Sequence, residues 1–396
     1  MGSIINFEYV DEWINLFKFS FIDTTISDSI KKKDNGFFRV IDGEAGYKYL
    51  DRTEDSFSLK YNNTNLVRNV AGISINNSLF NEESKEFIDL INQPMDDSYV
   101  GYDKNYTSYY NLAGSKYWFD DGGNYVPPTY YEKVANEDYY QNKYFIELGY
   151  VNNNLINSDF VRTLNNFDKE RVLREYIVTD VSDNQNYVLS DNIEYITTSY
   201  YGGIDYWFDE SISDKTITII NGGIRIVDVE LLYNDILVKT QHFDQYNYCN
   251  VEIDSTESVN RVVVKYDDVD ETNNALSLYV TETESKIQEK LYNERVNNSF
   301  KNIKFNDDYI AGDIDINEDD SFVYTYIPYD KNWHISDNGN PVEIIKANYG
   351  FIGFRLNSGQ HNVEFNYVPE GVNVGNTLSI ASTVLAVVFM IISKKK

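Results

Sequence analysis

The C-terminal stretch from Val372 onward constrains this chain more than any other feature. Between Thr377 and Ile392 there is no charge and no strongly polar group, and the sequence then closes on Lys394, Lys395 and Lys396. As a helix that run spans about 24 Å. Counting back to Val372 extends it to about 31 Å, roughly one hydrocarbon core. The pattern predicts one transmembrane helix over 372–393, with Asn373 and Asn376 in one interface and the lysines snorkelling at the other. The positive-inside rule then puts the lysines in the cytoplasm and everything before Val372 outside. Met1-Gly-Ser-Ile-Ile carries no basic stretch followed by an apolar one, so it does not read as a signal peptide. The expectation is a cell-membrane protein, single-pass at its C-terminus, with an extracytoplasmic bulk whose upstream part has been lost. A tail-anchored cytosolic protein is the other reading.

The bulk itself is acidic and aromatic. Thirty-four Lys+Arg against 63 Asp+Glu give a net charge of −29, and hydrophobic residues make up 42% of the chain. That composition supplies packed cores and excludes global disorder. The charge repels the phosphates of nucleic acid, so no nucleic-acid partner is expected. Cys249 is the one cysteine, so no intrachain disulfide forms and zinc sites built on thiolates are excluded. His242, His334 and His361 have no metal-ligand spacing, and neither metal nor cofactor is expected. The 35 tyrosines favour strands over helical bundles.

Periodicity divides the chain. Residues 1–35 read as an irregular leader with Trp13, Phe17 and Lys31–Lys33. Residues 36–174 read as a mixed α/β extracytoplasmic domain, with strands at Phe37–Val40, Ser56–Leu59 and Lys143–Gly149 and helices at Asn81–Ile91 and Ser158–Asn166. Residues 175–283 alternate strongly, with strands at Lys215–Ile220, Ile224–Leu232, Ile236–Lys239, Val262–Val264 and Leu276–Val280 between Asn, Gly and Asp turns. That spacing suggests a β-sandwich of jelly-roll type. A connecting helix follows over 284–297, with Ile287 and Leu291 on one face. A membrane-proximal β domain over 298–370 precedes the apolar helix. The fold class is therefore mainly β with some α, jelly-roll or β-sandwich-like units followed by one transmembrane helix.

Several segments carry a resemblance. Tyr324-Thr-Tyr-Ile-Pro-Tyr-Asp-Lys-Asn-Trp333, Asp337-Asn-Gly339, Asn348-Tyr-Gly-Phe-Ile-Gly-Phe-Arg-Leu-Asn-Ser-Gly359 and His361–Pro369 resemble the C-terminal part of the YfhO family of bacterial membrane proteins. Asn111-Leu-Ala-Gly-Ser-Lys-Tyr117 is similar to that family's Leu-Gly-x-Lys-Tyr segment. Gln141–Val151 is similar to its Asn-x-x-Ala-Leu-Pro-x-Gly-Tyr segment, with Ile146-Glu147 in place of an apolar residue and proline. The resemblance covers roughly residues 36–396. It implies a glycosyltransferase of the C-type fold, which moves a sugar from a polyprenyl-phosphate carrier to a cell-surface polymer of the teichoic acid type. The family's catalytic acid lies near the first helices of a multi-helix bundle. No catalytic residue can therefore be assigned in this chain, and the expected role is acceptor recognition or positioning beside a membrane bundle, with a separate polytopic subunit as one expected partner. A stand-alone, membrane-anchored glycan-binding module is the alternative.

From the residues alone, no nucleophile sits beside a base. His242 and Cys249 are seven apart, a spacing without mechanistic meaning. The acidic turns Asp267-Asp268-Val-Asp270 and Glu318-Asp-Asp320 lack the glycine and closing glutamate of a twelve-residue calcium loop. The ligand-binding candidates are two aromatic–acid clusters that share an echo, Tyr117-Trp-Phe-Asp120 and Tyr206-Trp-Phe-Asp209. Trp118 with Asp120 and Asp121, and Trp207 with Asp209 and Glu210, each offer a stacking face for a sugar ring and acceptors for its hydroxyls. The competing role is core packing, since buried Trp and Tyr are common structural anchors. Trp333, framed by Pro328, Gly339 and Gly350, reads as such an anchor.

Overall fold

The computed structural model describes residues 25–42, 75–76, 86–87, 99–100, 111–119, 127–187, 194–267, 276–306, 308–369 and 371–393. The described residues are mostly strand with few helices. The leader is not irregular throughout: Thr25–Lys33 is a helix, α1, ending on Lys31, Lys32 and Lys33 where the helix dipole favours cations. Ile30 anchors it in a small core with Val40, Tyr117, Phe119 and Tyr139. Those residues belong to Arg39–Asp42 (β1), Ser115–Phe119 (β4) and Tyr139–Asn142 (β6). With Tyr131–Lys133 (β5) they form a sheet in the order β1-β4-β6-β5, with β1 and β4 parallel. Ile75–Asn76 (β2) and Tyr99–Val100 (β3) form a separate antiparallel pair. The expected strand Ser56–Leu59 lies outside the described residues, and within Asn81–Ile91 residues 86 and 87 are described, both helical.

Asp34 ties α1 to this sheet. Its carboxylate accepts from Lys116 Nζ at 2.5 Å, Tyr117 OH at 2.7 Å and Gly36 N at 2.8 Å. Burial works to raise the Asp34 carboxyl, but these donors outweigh it and hold it below its ordinary value. A depressed folded value makes the contribution complete above about pH 4 and loses it as pH falls through that value. An acid titration followed by circular dichroism is expected to be shallower in Asp34→Asn than in the parent. Superimposable curves would remove Asp34 from this role.

The expected strand Lys143–Gly149 is mostly a turn. Asn142 Oδ1 accepts from Tyr144 N at 2.9 Å, and Leu148 takes φ +62°, so the strand starts at Gly149 (Gly149–Val151, β7). The helix expected over Ser158–Asn166 stops at Arg162 (Ser158–Arg162, α2), and a second helix that the sequence reading lacked follows over Asn166–Glu175 (α3). Asn157 caps the first by accepting from Phe160 N, and Asn165 caps the second by accepting from Asp168 N. A fresh N-cap inside the pattern ends the earlier helix. Leu155–Asn157 (β8) and Ile177–Thr179 (β9) pair in parallel around them.

Six strands between Tyr195 and Glu282 form one hydrogen-bonded antiparallel sheet. Its strands are Tyr195–Tyr200 (β10), Gly203–Ile212 (β11), Lys215–Tyr233 (β12), Ile236–Ile253 (β13), Val259–Asp267 (β14) and Ser277–Glu282 (β15). The order is β10-β11-β14-β12-β13, with β15 also paired to β12. The two strands expected at 215–220 and 224–232 are one. Asn221-Gly222-Gly223 marks a register break between Ile220 and Arg225, not a turn. The first half of β12 pairs with β15 and the second with β14, while β13 follows both halves. The pairing therefore joins all six strands into one continuous hydrogen-bonded sheet with two long strands, and both halves of those strands contribute to one core. Its core gathers Ile217, Ile219, Ile226, Val229, Leu231, Cys249, Val251, Val262 and Val264.

Two stacked sheets do occur further on. Glu284–Arg295 (α4) leads to Lys301–Phe305 (β16), Tyr309–Ile316 (β17), Ser321–Pro328 (β18), Trp333–Asp337 (β19), Asn340–Val342 (β20), Ile345–Ala347 (β21), Phe351–Leu356 (β22) and Gly359–Tyr367 (β23). One sheet runs β16-β17-β23-β19-β20, the other β21-β22-β18-β7. Val323 and Ile327 of β18 face a core with Ile314, Val363 and Phe365 of the first sheet. The alternate residues Phe322, Tyr324 and Tyr326 face a second core with Trp118, Tyr130, Val172 and Ile177. β18 is thus buried on both faces and is the middle plane of three layers. Trp333 stays partly buried, edge-on to Tyr367 at 5.1 Å.

Asn348 locks the layers together. Its backbone N donates to Val178 O at 2.7 Å, and its Oδ1 accepts from Val178 N at 2.8 Å. The next residue, Tyr349, holds φ +61°, a conformation bulky residues rarely adopt, and its hydroxyl donates to Ser158 O at 2.5 Å.

Val372–Ser393 (α5) is a helix of 22 residues at the expected place. Leu378, Ile380, Val384 and Leu385 are exposed on it. No helix is long and apolar enough, counted over the described residues, to cross a membrane. The side chains of residues 387–393 lie outside those described.

Candidate functional site

Polar and aromatic side chains converge where β4, β6, α3, α4 and β18 meet. Asn111, Leu112 and Ser115 come from the start of β4, and Asn142, Tyr144, Phe145, Ile146 and Tyr150 from the turn between β6 and β7. Tyr326 comes from β18, Arg174 from α3, and Gln288, Leu291, Tyr292 and Arg295 from α4. Three of the segments that carry the sequence resemblance therefore meet at one pocket. The free volume inside is about 30 Å³, room for roughly one water.

The floor is hydrogen-bonded and the rim aromatic. Asn142 Nδ2 donates to Asn111 Oδ1 at 3.0 Å and to Ser115 O at 3.3 Å. Arg174 Nη1 donates to Glu284 Oε2 at 2.5 Å, and Gln288 Nε2 donates to Glu284 Oε1 at 2.7 Å. Arg295 Nη2 donates to Arg174 O at 2.6 Å, with its guanidinium 4.6 Å above the Tyr150 ring. Tyr144 and Tyr292 are partly buried, with ring centroids 5.9 Å apart. Two polar atoms here have no hydrogen bond. Ser115 is fully buried and its Oγ lacks a partner of good hydrogen-bond geometry, although it lies near the Tyr131 hydroxyl, which donates to the Ser115 carbonyl at 3.2 Å. Asn111 Nδ2 is also unsatisfied. Burial pushes the Tyr150 hydroxyl up despite Arg295, and pushes Tyr326 well above its ordinary value. Both phenols stay protonated and available to donate.

α4 shows why this pocket is hard to read from sequence. Glu284, Gln288 and Leu291 are its buried residues, while Ile287 is only partly buried. The inward face is the polar one.

The two aromatic–acid clusters sit elsewhere, on different sheets. Trp118 is fully buried and edge-on to Tyr131 at 5.9 Å, so it has no face open to a sugar ring. Asp120 and Asp121 lie outside the described residues. Trp207 is partly buried with the Arg261 guanidinium 4.3 Å over its ring, and Asp205 and Asp235 hold that guanidinium in place. Asp209 and Glu210 follow on the same strand and are exposed. In the Glu318-Asp-Asp320 turn, Asp319 accepts from Ser358 and Asp320 from Arg355. No group of three or more His, Cys, Asp or Glu side chains is placed to hold a metal among the described residues.

A second depression adjoins the pocket. A groove of about 250 Å³ is lined by Val151, Asn152, Asn153, Asn154, Glu175, Glu294, Arg295, Asn298, Asn317, Glu318 and Ser321. Arg295 is common to both linings.

Known proteins bear on this arrangement in two ways. The uncharacterized protein YfhO of Bacillus subtilis (strain 168) is 35% identical over 71 residues, which span 18% of this chain and 8% of that relative. Among solved structures, a glycoside hydrolase 29 family member from an unknown rumen bacterium aligns at 9% identity and TM-score 0.19, covering 46% of this chain and 39% of that one. The arabinofuranosyltransferase AftD from Mycobacteria aligns at 6% identity and TM-score 0.16, covering 49% and 22%. Scores this low establish no shared fold. The sequence profile described as bacterial membrane protein YfhO, in contrast, matches residues 22–379, nearly the whole length. On that match this chain belongs to the YfhO family of bacterial membrane proteins.

Proposed function

We propose that this chain is the extracytoplasmic part of a sugar-transferring membrane protein and that it positions the acceptor, a cell-surface polymer of the teichoic acid type, with one hydroxyl-sized group of that polymer entering the pocket. The donor sugar arrives on a polyprenyl-phosphate carrier, and transfer itself belongs to membrane-embedded helices of the same protein or of a polytopic partner. The observation that carries this reading is the pocket's make-up: tyrosines at the rim, amides, guanidinium and an unsatisfied hydroxyl on the floor. Small-ligand sites combine a mostly apolar wall with a few convergent polar groups in this way. α5 supports attachment to the membrane. Twenty-two helical residues reach about 33 Å, and exposed Leu378, Ile380, Val384 and Leu385 need an apolar cover.

The unsatisfied Ser115 hydroxyl separates binding from folding. Ser115→Ala removes a buried group that makes no hydrogen bond, so stability to urea should be unchanged or slightly higher. If the hydroxyl is reserved for a ligand, affinity for a neutral oligosaccharide such as an N-acetylglucosamine tetramer should fall about threefold to tenfold. Tyr292→Ala should weaken binding about tenfold by opening the rim. Calorimetry on the full chain in micelles measures both, and equal affinity in all three proteins would discard the pocket as the acceptor site. Protease treatment of intact cells tests placement: survival of the folded domain would argue for a cytosolic bulk.

A further inference from the structure

Two exposed apolar side chains lie at one end of the sheet β16-β17-β23-β19-β20. Phe305 closes β16 and is 44% exposed, and Val368 follows β23 and is 36% exposed. Strand register puts them at the same level. Phe305 pairs with Ile310 near the start of β17, Tyr309 with Asn366 of β23, and Tyr367 of β23 with Trp333 at the start of β19. The connecting loops are tied there too, with Tyr367 N donating to Asp308 O at 2.8 Å and Val368 N to Asn332 O at 3.0 Å. Aromatic rings fill the rim. Phe305 meets Phe37 edge-on at 5.5 Å, Trp333 meets Tyr367, and the Tyr367 hydroxyl donates to Asp330 at 3.3 Å. Phe37, Trp333 and Tyr367 all keep part of their surface open.

The same end launches α5. Val372, its first residue, comes four residues after Val368, so the two Cα atoms stand at most about 15 Å apart. A headgroup layer is about 5–8 Å thick. With α5 in a bilayer, the rim is therefore held within about two such layers of the hydrocarbon. Tyrosine and tryptophan, apolar in body and polar at the tip, suit that depth. The exposed charges at this end, Lys304, Lys331 and Asp308, are of both signs, so apolar and aromatic contact has to carry the docking. The opposite end of β23 has no such tether. Gln360 is exposed and eight residues before Val368, about 27 Å away along the strand.

We infer that this rim, led by Phe305 and Val368 with Trp333 and Tyr367 behind them, rests in the lipid headgroup layer and stands the membrane-proximal sheet on the bilayer. The inference rests on the reading of α5 as the membrane attachment. It adds a second contact that fixes which end of the domain faces the lipid, so β23 runs towards the membrane and the turn at Gly359 points away from it.

The test is depth measurement by nitroxide labels on the full chain in phosphatidylcholine vesicles, comparing relaxation by oxygen with relaxation by a water-soluble nickel chelate. Cys249 is fully buried, so the parent chain should take up no label and single labels can be placed at Phe305→Cys, Val368→Cys, Gln360→Cys and Leu385→Cys. Leu385→Cys should read as deep in hydrocarbon. Phe305→Cys and Val368→Cys should be reached by the nickel chelate about threefold less than Gln360→Cys. A label at Asn306→Cys, beside Phe305, should follow Phe305→Cys without removing an apolar side chain. A deep Leu385→Cys together with rim labels as open to the chelate as Gln360→Cys would overturn the inference while sparing the attachment, and would leave the rim to another occupant such as the helices of a membrane partner. A Leu385→Cys open to the chelate would remove the attachment reading and this inference with it.

Discussion

Gly149→Ala is expected to cost about 3 kcal/mol or more, enough to leave this protein largely unfolded under mild denaturant. A Cβ at residue 149 would lie 2.1 Å from Tyr324 O, 2.8 Å from Thr325 Cα and 3.1 Å from Tyr324 C. All three are backbone atoms of β18, so no side chain can swing aside. Relief requires β7 to leave the sheet. That would break the pairings Thr325–Gly149, Tyr324–Tyr150 and Val323–Val151 and the bond from Phe300 N to Gly149 O. Tyr150 would leave the cluster with Tyr324 and Tyr326, and the pocket would lose one wall. Urea denaturation followed by circular dichroism measures the loss. Gly375→Ala is the control, because its Cβ would meet nothing within 4 Å. A midpoint for Gly149→Ala indistinguishable from the parent's would mean that β7 and β18 approach less closely than described.

Glu284→Ala is expected to cost about 3 kcal/mol for a different reason. Glu284 and Arg174 are both buried, and one carboxylate accepts from Arg174 Nη1 and from Gln288 Nε2. Removing the carboxylate leaves a guanidinium away from water without its strongest acceptor. Replacing both members by apolar residues of similar size, Glu284→Leu with Arg174→Met, should recover much of the loss, since the pair's desolvation penalty disappears with it. A double variant as unstable as the sum of the two single variants would show that the pair does not interact energetically. Arg295 donates to the Arg174 carbonyl, so the single variant should also loosen Arg295, which lines both pocket and groove.

The strands were legible where burial is one-sided or complete, because period-2 alternation and β-branched runs at Lys215–Ile220 and Val262–Val264 have few other uses. Joins between strands were less so. Asn221-Gly222-Gly223 carries turn chemistry, yet a register break inside one long strand satisfies the same residues. The helix expected over Ser158–Asn166 ends early and a second one, Asn166–Glu175, was not legible, because its cap, Asn165, is a single side chain whose role depends on its rotamer. α4 was placed correctly and Leu291 is buried, but Ile287, read on the same face, is only partly so. Apolar periodicity points to Ile287, whereas an ion pair and an amide bury Glu284 and Gln288.

The two tryptophan clusters show the same limit from the other side. Tyr117-Trp-Phe and Tyr206-Trp-Phe are nearly identical as text, but β4 is covered on both faces and β11 on one. Burial is a property of the layers above and below, which a local echo does not encode. The pocket was indirectly visible. Asn111–Ser115, Asn142–Tyr150 and Tyr326 all lie within segments resembling the family, although nothing local to each said that they would meet.

The doubly buried β18 also dictates the order in which the chain assembles. Arg39 must find the Tyr326 carbonyl across 287 residues, Tyr324 the Leu112 carbonyl across 212, and Asn348 Val178 across 170. At about 5–20 residues per second of synthesis, Arg39 waits roughly 15–60 s for its partner. Non-local closure of this kind slows folding and leaves apolar surface uncovered in the interval. The six-stranded sheet over 195–282 gathers its own core and needs no such delay. During synthesis it becomes a finished body while the earlier layer still waits for the strand that will cover it.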